Sequence, residues 1–176
     1  MGNIQPFPPS KLFIGIIYND ESLVKGLLAI IENEFGKLDL ISEPIDFCHT
    51  SYYQKEMGDN LIKRFICIKE LWNPENIYKA KLVTDKIENT YTTKNKRNIN
   101  LDPGSLTLHN IILLSTKNFM HRIPLADGIY AELTLIFNKR ANKYQDLPWT
   151  YPDYKTSEYQ KILLDIRKTY KKELLN

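Results

Sequence analysis

The first half of the chain repeats one order of patterns, in which a short apolar run is followed by apolar residues at helical spacing. Residues 11–18 and 63–68 are too short and too continuously apolar for amphipathic helices, so each run is predicted to form a buried strand. A helix is predicted after each strand. Asn19-Asp20 offers a cap for the first helix, which Gly36 is expected to end, and the second helix begins at Asn73-Pro74. The pattern therefore predicts two strand-helix units.

Extended segments follow both predicted helices, near residues 38–47 and from Ile99 onward. Two strand-helix-strand units in succession predict a split βαβ, ferredoxin-like arrangement, with the two helices on one face of an antiparallel or mixed sheet. The chain has 176 residues, a usual length for one domain. We therefore expect a single α+β domain over residues 1–176, with an ordered core spanning about residues 11–172.

The third quarter of the chain carries a different pattern. Residues 106–116, 119–125 and 129–137 are apolar runs rich in β-branched and aromatic residues, and they predict three added strands. Asp127-Gly128 joins the last two runs and favours a tight hairpin turn, because glycine readily takes a positive φ. The first run is also compatible with a buried helix that begins at Ser105. A C-terminal β-hairpin is thus expected to extend the two units.

The last part of the chain predicts one irregular segment and one helix. Residues 138–146 read as a polar connector. Residues 147–154 contain two prolines and three aromatic residues, so this segment is expected to lie across the domain without regular structure. Ser157 is predicted to cap a final helix. The packing stripe of that helix consists of Tyr159, Ile162, Leu163, Ile166 and Tyr170.

Composition and charge restrict the function without identifying it. Apolar residues make up 43% of the chain and charged residues 26%, which are ordinary values for a globular domain. The net charge of +3 is too small to indicate nucleic-acid binding by itself. No stretch approaches the roughly 20 apolar residues that cross a bilayer, and residues 1–10 contain prolines where a signal peptide is apolar. A cytoplasmic protein without a membrane span is therefore expected.

The spacing of the glycines excludes the common phosphate-binding loops. A P-loop requires G-x-x-x-x-G-K-[ST] and a dinucleotide fold requires G-x-G-x-x-G, because backbone amides must approach the phosphates closely. Neither pattern occurs among the seven glycines. The two cysteines form no C-x-x-C pair, so no metal site is predicted from them.

A group of polar residues lies in or beside the apolar runs of the second half. Its members are Arg97, Asn98, Asn100, Asp102, Lys117, His121, Arg122, Tyr130, Glu132 and Thr134. A polar group that is buried without a partner costs about 1–3 kcal/mol, so side chains in such positions are expected to be hydrogen-bonded or functional. This stretch is therefore the predicted location of a site.

Strand alternation divides residues 129–137 into two predicted faces. The apolar face consists of Ile129, Ala131, Leu133, Leu135 and Phe137, and the polar face consists of Tyr130, Glu132 and Thr134. The hairpin loop then decides which neighbour faces Glu132. A loop of two or four residues places His121 there, and a loop of three residues places Arg122 there. Only one of the two is expected to face this carboxylate directly.

The two neighbours imply different chemistry. An imidazole beside a carboxylate makes a general acid or base near neutral pH, whereas a guanidinium beside a carboxylate makes a chemically inert ion pair. Asp102 belongs to Asp102-Pro103-Gly104, which is predicted to be a turn. Its carboxylate would orient a ligand group or a metal only if that turn lies beside the polar face of the hairpin.

Two functional hypotheses follow. The first is a site for a small phosphorylated or nucleotide-like ligand, in an enzyme or a binding protein, with His121 and Glu132 moving protons and Asp102 orienting a group. The remaining predicted ligand-binding residues are Arg97, Lys117 and Arg122 for the anion, with Asn100, Tyr130, Tyr53 and Glu56 beside them. The second is a non-catalytic module that binds RNA or a protein partner. A concave pocket favours the first hypothesis and a flat face the second, and the sequence indicates no particular cofactor or oligomeric state.

Six runs carry a resemblance to a known family. They are YYQKEMG (52–58), NLDPG (100–104), STK (115–117), HR (121–122), GIYAELTL (128–135) and WTYPDY (149–154). Together they resemble a prokaryotic family catalogued as domain of unknown function 4416, and the resemblance extends from Lys11 to Tyr170. Some members are labelled GTP-binding proteins, so the resemblance implies a guanine nucleotide. The residues themselves favour no particular anion, because they contain no phosphate loop.

Overall fold

The computed structural model describes residues 2–50, 52–94 and 96–175. Its strands are β1 (Ser10–Tyr18), β2 (Leu38–Ile41), β3 (Ile45–Asp46), β4 (Ile62–Trp72), β5 (Thr92–Thr93), β6 (Lys96–Arg97), β7 (Ile99–Leu106), β8 (Asn110–Ser115), β9 (Arg122–Ala126), β10 (Ile129–Asn138) and β11 (Lys143–Asp146). Its α-helices are α1 (Val24–Phe35), α2 (Gln54–Met57), α3 (Tyr78–Thr90) and α4 (Ser157–Glu173). Short 3₁₀ turns, Glu21–Leu23, Pro74–Asn76 and Asp153–Lys155, precede α1, α3 and α4.

One antiparallel sheet organises the described residues. Its strand order is β11-β10-β8-β7-β1-β4-β2, with β3 beside β4 and β9 beside β10, while β5 and β6 form a separate pair. The order β7-β1-β4-β2 contains the two strand-helix-strand units of the first half. This order is compatible with the predicted split βαβ arrangement. The predicted α+β class, with added strands and a final helix, is confirmed.

Helices cover both faces of the sheet. The even-numbered residues of β1 from Leu12 to Tyr18 pack with α1 and α3 on one face, and Phe13 packs with α4 on the other. The prediction of helices on one face therefore holds for α1 and α3, whereas α4 covers the opposite face. Because β1 is covered on both sides, its run is continuously apolar instead of alternating. No helix in the described ranges has the length and apolarity needed to cross a bilayer.

The predicted helix boundaries agree with the structure, except at α4. The Asp20 carboxylate accepts a hydrogen bond from the Ser22 N–H at 2.9 Å, and Gly36 ends α1 with a φ of 99°. Asn73 caps the turn before α3. At α4 the cap is Thr156 rather than Ser157, because the Thr156 hydroxyl accepts from the N–H three residues ahead.

Asp102-Pro103-Gly104 lies inside β7, so its predicted assignment as a turn is wrong. The three residues pair with Gly15, Ile14 and Phe13 of β1. Gly104 is required for close packing rather than for a turn, since a Cβ at this position would clash with the Phe13 ring and lie 2.8 Å from the Ile112 carbonyl oxygen. Local turn propensity was overridden here by pairing with strands on both sides.

Pro103 explains where β7 and β8 part. The N–H of Thr107, just after β7, donates to the carbonyl of Asn110 at 3.0 Å. Because N–H groups alternate in direction along a strand, those of Ser105 and of the residue at position 103 would also point toward β8. Pro103 occupies such a position and has no N–H. Pairing between β7 and β8 ends at Gly104, which faces Leu113. The two strands diverge beyond this point.

The run at residues 106–116 forms a hairpin, so the alternative of a buried helix from Ser105 is wrong. Thr107 closes the turn with Asn110, and the chain continues as β8. The predicted polar connector at residues 138–146 is also wrong in part, because it contains β11. Tyr144 of that strand is buried against Phe137, at a ring distance of 5.5 Å. The aromatic ring therefore holds an otherwise polar edge strand on the sheet.

The β9–β10 hairpin confirms the turn and corrects the predicted faces. Asp127 and Gly128 both have positive φ, at 51° and 77°. The pairing of β10 with β8 shifts between Leu133 and Leu135, which is the mark of a β-bulge. Ile129 therefore packs with α1 and α3, whereas Leu135 and Phe137 pack with α4. The five apolar residues of this strand do not share one face.

Candidate functional site

A cavity of about 540 Å³ lies where β7 and β8 diverge. Lys81, Asp85 and Glu88 of α3 line it from one face of the sheet, and the segment before α4, Tyr151 to Tyr154, lines it from the other. The remaining walls come from β1, β4, β6, β7, β8, β9 and β10 and from the loop residues Phe47, His49, Thr50, Tyr52, Tyr53, Thr116 and Lys117. The gap in the sheet thus lets one cavity reach both layers of helices.

Most of the predicted site residues meet at this cavity. Those that line it are Tyr53, Arg97, Asn100, Asp102, Lys117, Arg122 and Glu132. Glu56, His121 and Tyr130 are not in its lining, although Glu56 binds Arg97 and His121 binds Glu132. The polar residues of the second half therefore do converge, but the imidazole lies outside the cavity wall.

Both guanidinium groups are held by the protein. Arg97 donates to Glu56 at 2.6 and 2.8 Å and to Asn100 Oδ1 at 3.1 Å. Arg122 donates to Glu132 at 2.7 Å and to three other oxygens at 2.8–3.0 Å, among them the Tyr151 hydroxyl. An anionic ligand would have to compete with these carboxylates for either arginine.

A bulge in β9 decides the neighbour of Glu132. The hairpin loop has two residues, which by itself predicts His121 beside Glu132. The pairing shifts next to Leu125, however, so Arg122 becomes the residue directly opposite. His121 still reaches the same carboxylate, with Nε2 at 3.1 Å from Oε2 and Arg122 Nε at 2.7 Å. Arg122 is therefore the one that faces this carboxylate directly, as expected of only one of the two, although both side chains contact it.

His121 is packed in an aromatic environment. Its ring stacks on Trp149, with centroids 4.9 Å apart and planes 10° apart, and meets the edge of Phe119 at 5.2 Å. Glu132 has a second oxygen, Oε1, which is buried and has no hydrogen-bond partner among the described residues. Glu132, rather than His121, is therefore the member of this pair that offers a free atom to the cavity.

Several polar groups of the lining have no protein partner. Asn100 Nδ2 and the Tyr154 hydroxyl are buried and, within the described ranges, form no hydrogen bond. The lining arginines and buried lysines form their salt bridges with Glu56, Asp85, Glu88, Glu132 and Asp153. Asp102 takes part in none of the salt bridges found in the described part of the chain. Each buried unbonded group costs about 1–3 kcal/mol, so groups of this kind are usually satisfied by ordered water or by a ligand.

The charge of Asp102 acts inside the site. Its negative charge, followed by burial, raises the pKa of the Tyr53 hydroxyl. Lys117 provides the opposite charge elsewhere in the lining. It donates to the Tyr52 hydroxyl at 2.8 Å, and this hydrogen bond lowers the pKa of Tyr52. Because its one described partner is a neutral phenol, Lys117 keeps its positive charge uncompensated.

Two lysines of the lining, Lys63 and Lys81, are missing from the predicted set. Lys63 begins the second predicted strand, and a lysine within a buried apolar run was the available signal. Its Nζ lies 3.0 Å from Asp153 Oδ2, ninety positions away in the chain.

Burial raises the pKa of Glu88, although the nearby Lys81 lowers it. No three acidic, histidine or cysteine side chains of the described residues are grouped as metal ligands.

The model of a family described as domain of unknown function (DUF4416) matches residues 8–170. The chain belongs to this family. No curated protein and no solved structure matches it. The DUF4416 match includes every residue that lines the cavity.

The runs that carry the DUF4416 resemblance all reach the cavity. Each of the six contributes at least one residue to its lining, as Tyr53, Asn100, Ser115, Arg122 and Glu132 show for five of them. The sixth run contributes its last four residues, 151–154. Segments far apart in the chain thus build one cavity, which makes the cavity the best candidate for a site in this DUF4416 protein.

Proposed function

We propose that the protein binds a small phosphorylated molecule in the cavity between β7 and β8. The observation that carries this proposal is the convergence of unbonded polar groups, Asp102, Asn100 Nδ2 and Glu132 Oε1, on a cavity of about 540 Å³. Small-molecule sites have volumes of roughly 300–1,000 Å³ and few polar groups in a mostly apolar wall. A concave pocket favours this function over a flat surface for RNA or a protein partner.

The charges of the lining suggest how the ligand is oriented. Lys117 is the cation whose charge is not balanced by a carboxylate among the described residues, so it is the group for a phosphate. Asp102 and Glu132 Oε1 are groups that can accept hydrogen bonds from the ligand, and Asn100 Nδ2 can donate one to it. Hydroxyl and amino groups of a sugar or a nucleoside supply the matching partners. A phosphorylated sugar or a nucleotide therefore suits the site.

Proton transfer by His121 and Glu132 stays a prediction within this proposal. A catalytic role would require the ligand to reach the Glu132 carboxylate, which His121 binds from outside the lining. A cytoplasmic location is part of the same proposal, since phosphorylated metabolites are found there. Cys48 and Cys67 are free thiols, as is usual in a reducing compartment.

Thermal unfolding with a ligand panel tests the binding function. The panel contains nucleoside mono-, di- and triphosphates, including guanine nucleotides, and sugar phosphates. At one hundred times its dissociation constant a ligand adds about 2.7 kcal/mol of stability, so the melting temperature is expected to rise by several degrees. The Asp102→Asn protein should lose this rise, whereas the exposed Asp46→Asn control should keep it. A panel without any shift on the unaltered protein would refute the proposal.

A further inference from the structure

Three lysines in the described part of the chain are buried: Lys11, Lys63 and Lys81 are 0%, 1% and 8% exposed. A lysine ammonium has three N–H groups, and burial is costly unless acceptors replace the lost water. The number of acceptors around each ammonium therefore shows whether the protein alone satisfies it.

The protein supplies more than one acceptor to two of the three. Lys11 Nζ donates to Asp39 at 2.7 Å, to Glu173 at 2.8 Å and to the Lys69 carbonyl at 2.8 Å. Lys81 Nζ donates to the Leu101 carbonyl at 3.0 Å and forms a salt bridge with Asp85 at 2.8 Å. The Glu88 carboxylate adds negative charge at 3.6 Å, which is too long for a hydrogen bond.

Lys63 differs from both. Its Nζ has one acceptor among the described residues, Asp153 Oδ2 at 3.0 Å. Its other neighbours are the rings of Phe47, Phe65, Tyr154 and Tyr159, with centroids 4.7–5.5 Å from Nζ. These rings attract the positive charge but supply no lone pair for an N–H. Two of its three donors are left without a protein oxygen.

The cavity borders this lysine. Lys63, Asp153, Phe47 and Tyr154 are all part of the cavity lining. The hydroxyl of Tyr154 is buried and, like the two N–H groups of Lys63, has no acceptor or donor in the described chain. Both groups are therefore candidates for contact with an oxygen of the ligand.

We propose that Lys63 binds an uncharged oxygen of the ligand, a carbonyl or a hydroxyl. This inference rests on the proposed function and adds a second contact to the proposed phosphate contact at Lys117. The oxygen is uncharged because Asp153 already neutralises Lys63. A second anion here would leave a net negative charge in a buried site, which is strongly unfavourable. The ligand is thus a phosphorylated molecule that also carries a carbonyl or hydroxyl group.

A double substitution removes the pair without leaving a buried charge. In Lys63→Met with Asp153→Asn, methionine keeps the length of the side chain, and asparagine keeps the oxygen that accepts from the Tyr154 N–H at 3.0 Å. The probes are the nucleoside monophosphate or sugar phosphate that stabilises the unaltered protein most and the same molecule without phosphate. The double variant should bind both about 10- to 100-fold more weakly, with its preference for the phosphorylated form unchanged.

Two further variants make the assignment specific. Lys117→Met should reduce or abolish the preference for the phosphorylated probe, because it removes the proposed phosphate-binding charge. Lys155→Met, an exposed lysine near α4, should bind both probes like the unaltered protein. Unaltered affinity in the double variant, or loss of its phosphate preference, would overturn the inference while leaving the proposed function intact. If no probe binds the unaltered protein, the proposed function fails, and the inference fails with it.

A measurement without any substitution guards against misfolding of the double variant. In protein labelled with ¹⁵N at the lysine Nζ atoms, the Lys63 resonance should shift when the probe saturates the site. The Lys11 resonance should stay in place, since its three acceptors belong to the protein. A stationary Lys63 resonance at saturation would contradict the inference.

Discussion

Two regions of the same sheet differ in how completely their polar groups are satisfied. In the fully paired region, β1 pairs with β7 from Lys11 to Tyr18 and with β4 on its other side. In the divergent region, β7 and β8 separate after Gly104, and Asn100 and Glu132 keep buried atoms without described partners. The comparison shows that an interrupted ladder, rather than a special loop, creates the candidate site.

The largest expected effect breaks the fully paired region at Lys11. Lys11→Met leaves Asp39 and Glu173 without their shared ammonium, whose Nζ lies 2.7 and 2.8 Å from them. Removing one member of a buried ion pair costs about 3–5 kcal/mol, and denaturant unfolding should show this loss. The exposed Lys37→Met serves as the control and should lose less than about 0.5 kcal/mol. Equal stability of the two variants would show that the Lys11 cluster contributes little.

The next effect concerns the boundary between the two regions. Gly104→Ala places a Cβ into the Phe13 ring and 2.8 Å from the Ile112 carbonyl oxygen. Overpacking of this kind costs about 1–3 kcal/mol, to be measured as a lower free energy of unfolding. Gly26→Ala in α1 is the matched control, because its Cβ would meet only the Tyr91 hydroxyl at 3.7 Å. The free energy of unfolding of that control should rise by up to about 1 kcal/mol, because alanine is more favourable than glycine inside a helix.

A smaller effect of opposite sign is expected in the divergent region. Asp102→Asn removes a carboxylate that forms no salt bridge within the described residues and that raises the pKa of Tyr53. The free energy of unfolding should rise by about 0.5–1 kcal/mol at neutral pH, as is common when a functional residue is replaced. The spectrophotometric titration of Tyr53 should also move to lower pH. A fall in stability would mean that Asp102 serves the fold rather than a ligand.

The smallest effect is a pH dependence from Glu88. Burial raises its pKa above the ordinary value of 4.5, although Lys81 opposes the shift. Between the ordinary pKa and the raised pKa of the folded state, the folded state holds more protons than the unfolded state. The free energy of unfolding therefore falls as the pH rises through this window. The Glu88→Gln variant has no titrating group at this position and so lacks this pH dependence. The stability of the unaltered protein relative to the variant should therefore decline from pH 4.5 upward, and a rising difference would contradict the assigned direction.

The sequence predicted the elements of the fold better than their register. Continuous apolar runs identified β1 and β4, and Asp127-Gly128 identified its turn, because these signals are local. The bulges beside Leu125 and at Thr134 follow from pairing with neighbouring strands. They have no local signature, so the predicted faces of β10 were wrong, and the length of the hairpin loop alone could not decide which residue faces Glu132.

The candidate site was predicted in part for a similar reason. Polar residues within apolar strands must be paired or functional, and Asn100, Asp102 and Glu132 were predicted as site residues on this ground. Lys63 was not predicted, because its acceptor and its aromatic neighbours come from distant parts of the chain. Asp102 was predicted to lie in a turn, because proline and glycine usually mark one.

The passage of the cavity through the sheet has a mechanical consequence. Its lining joins residues from Ile17 to Tyr154, including α3 on one face and the approach to α4 on the other. A bound molecule would act as a noncovalent cross-link between both helical layers. Hydrogen exchange should therefore slow on both faces together when the site fills, and the two layers should open as one unit.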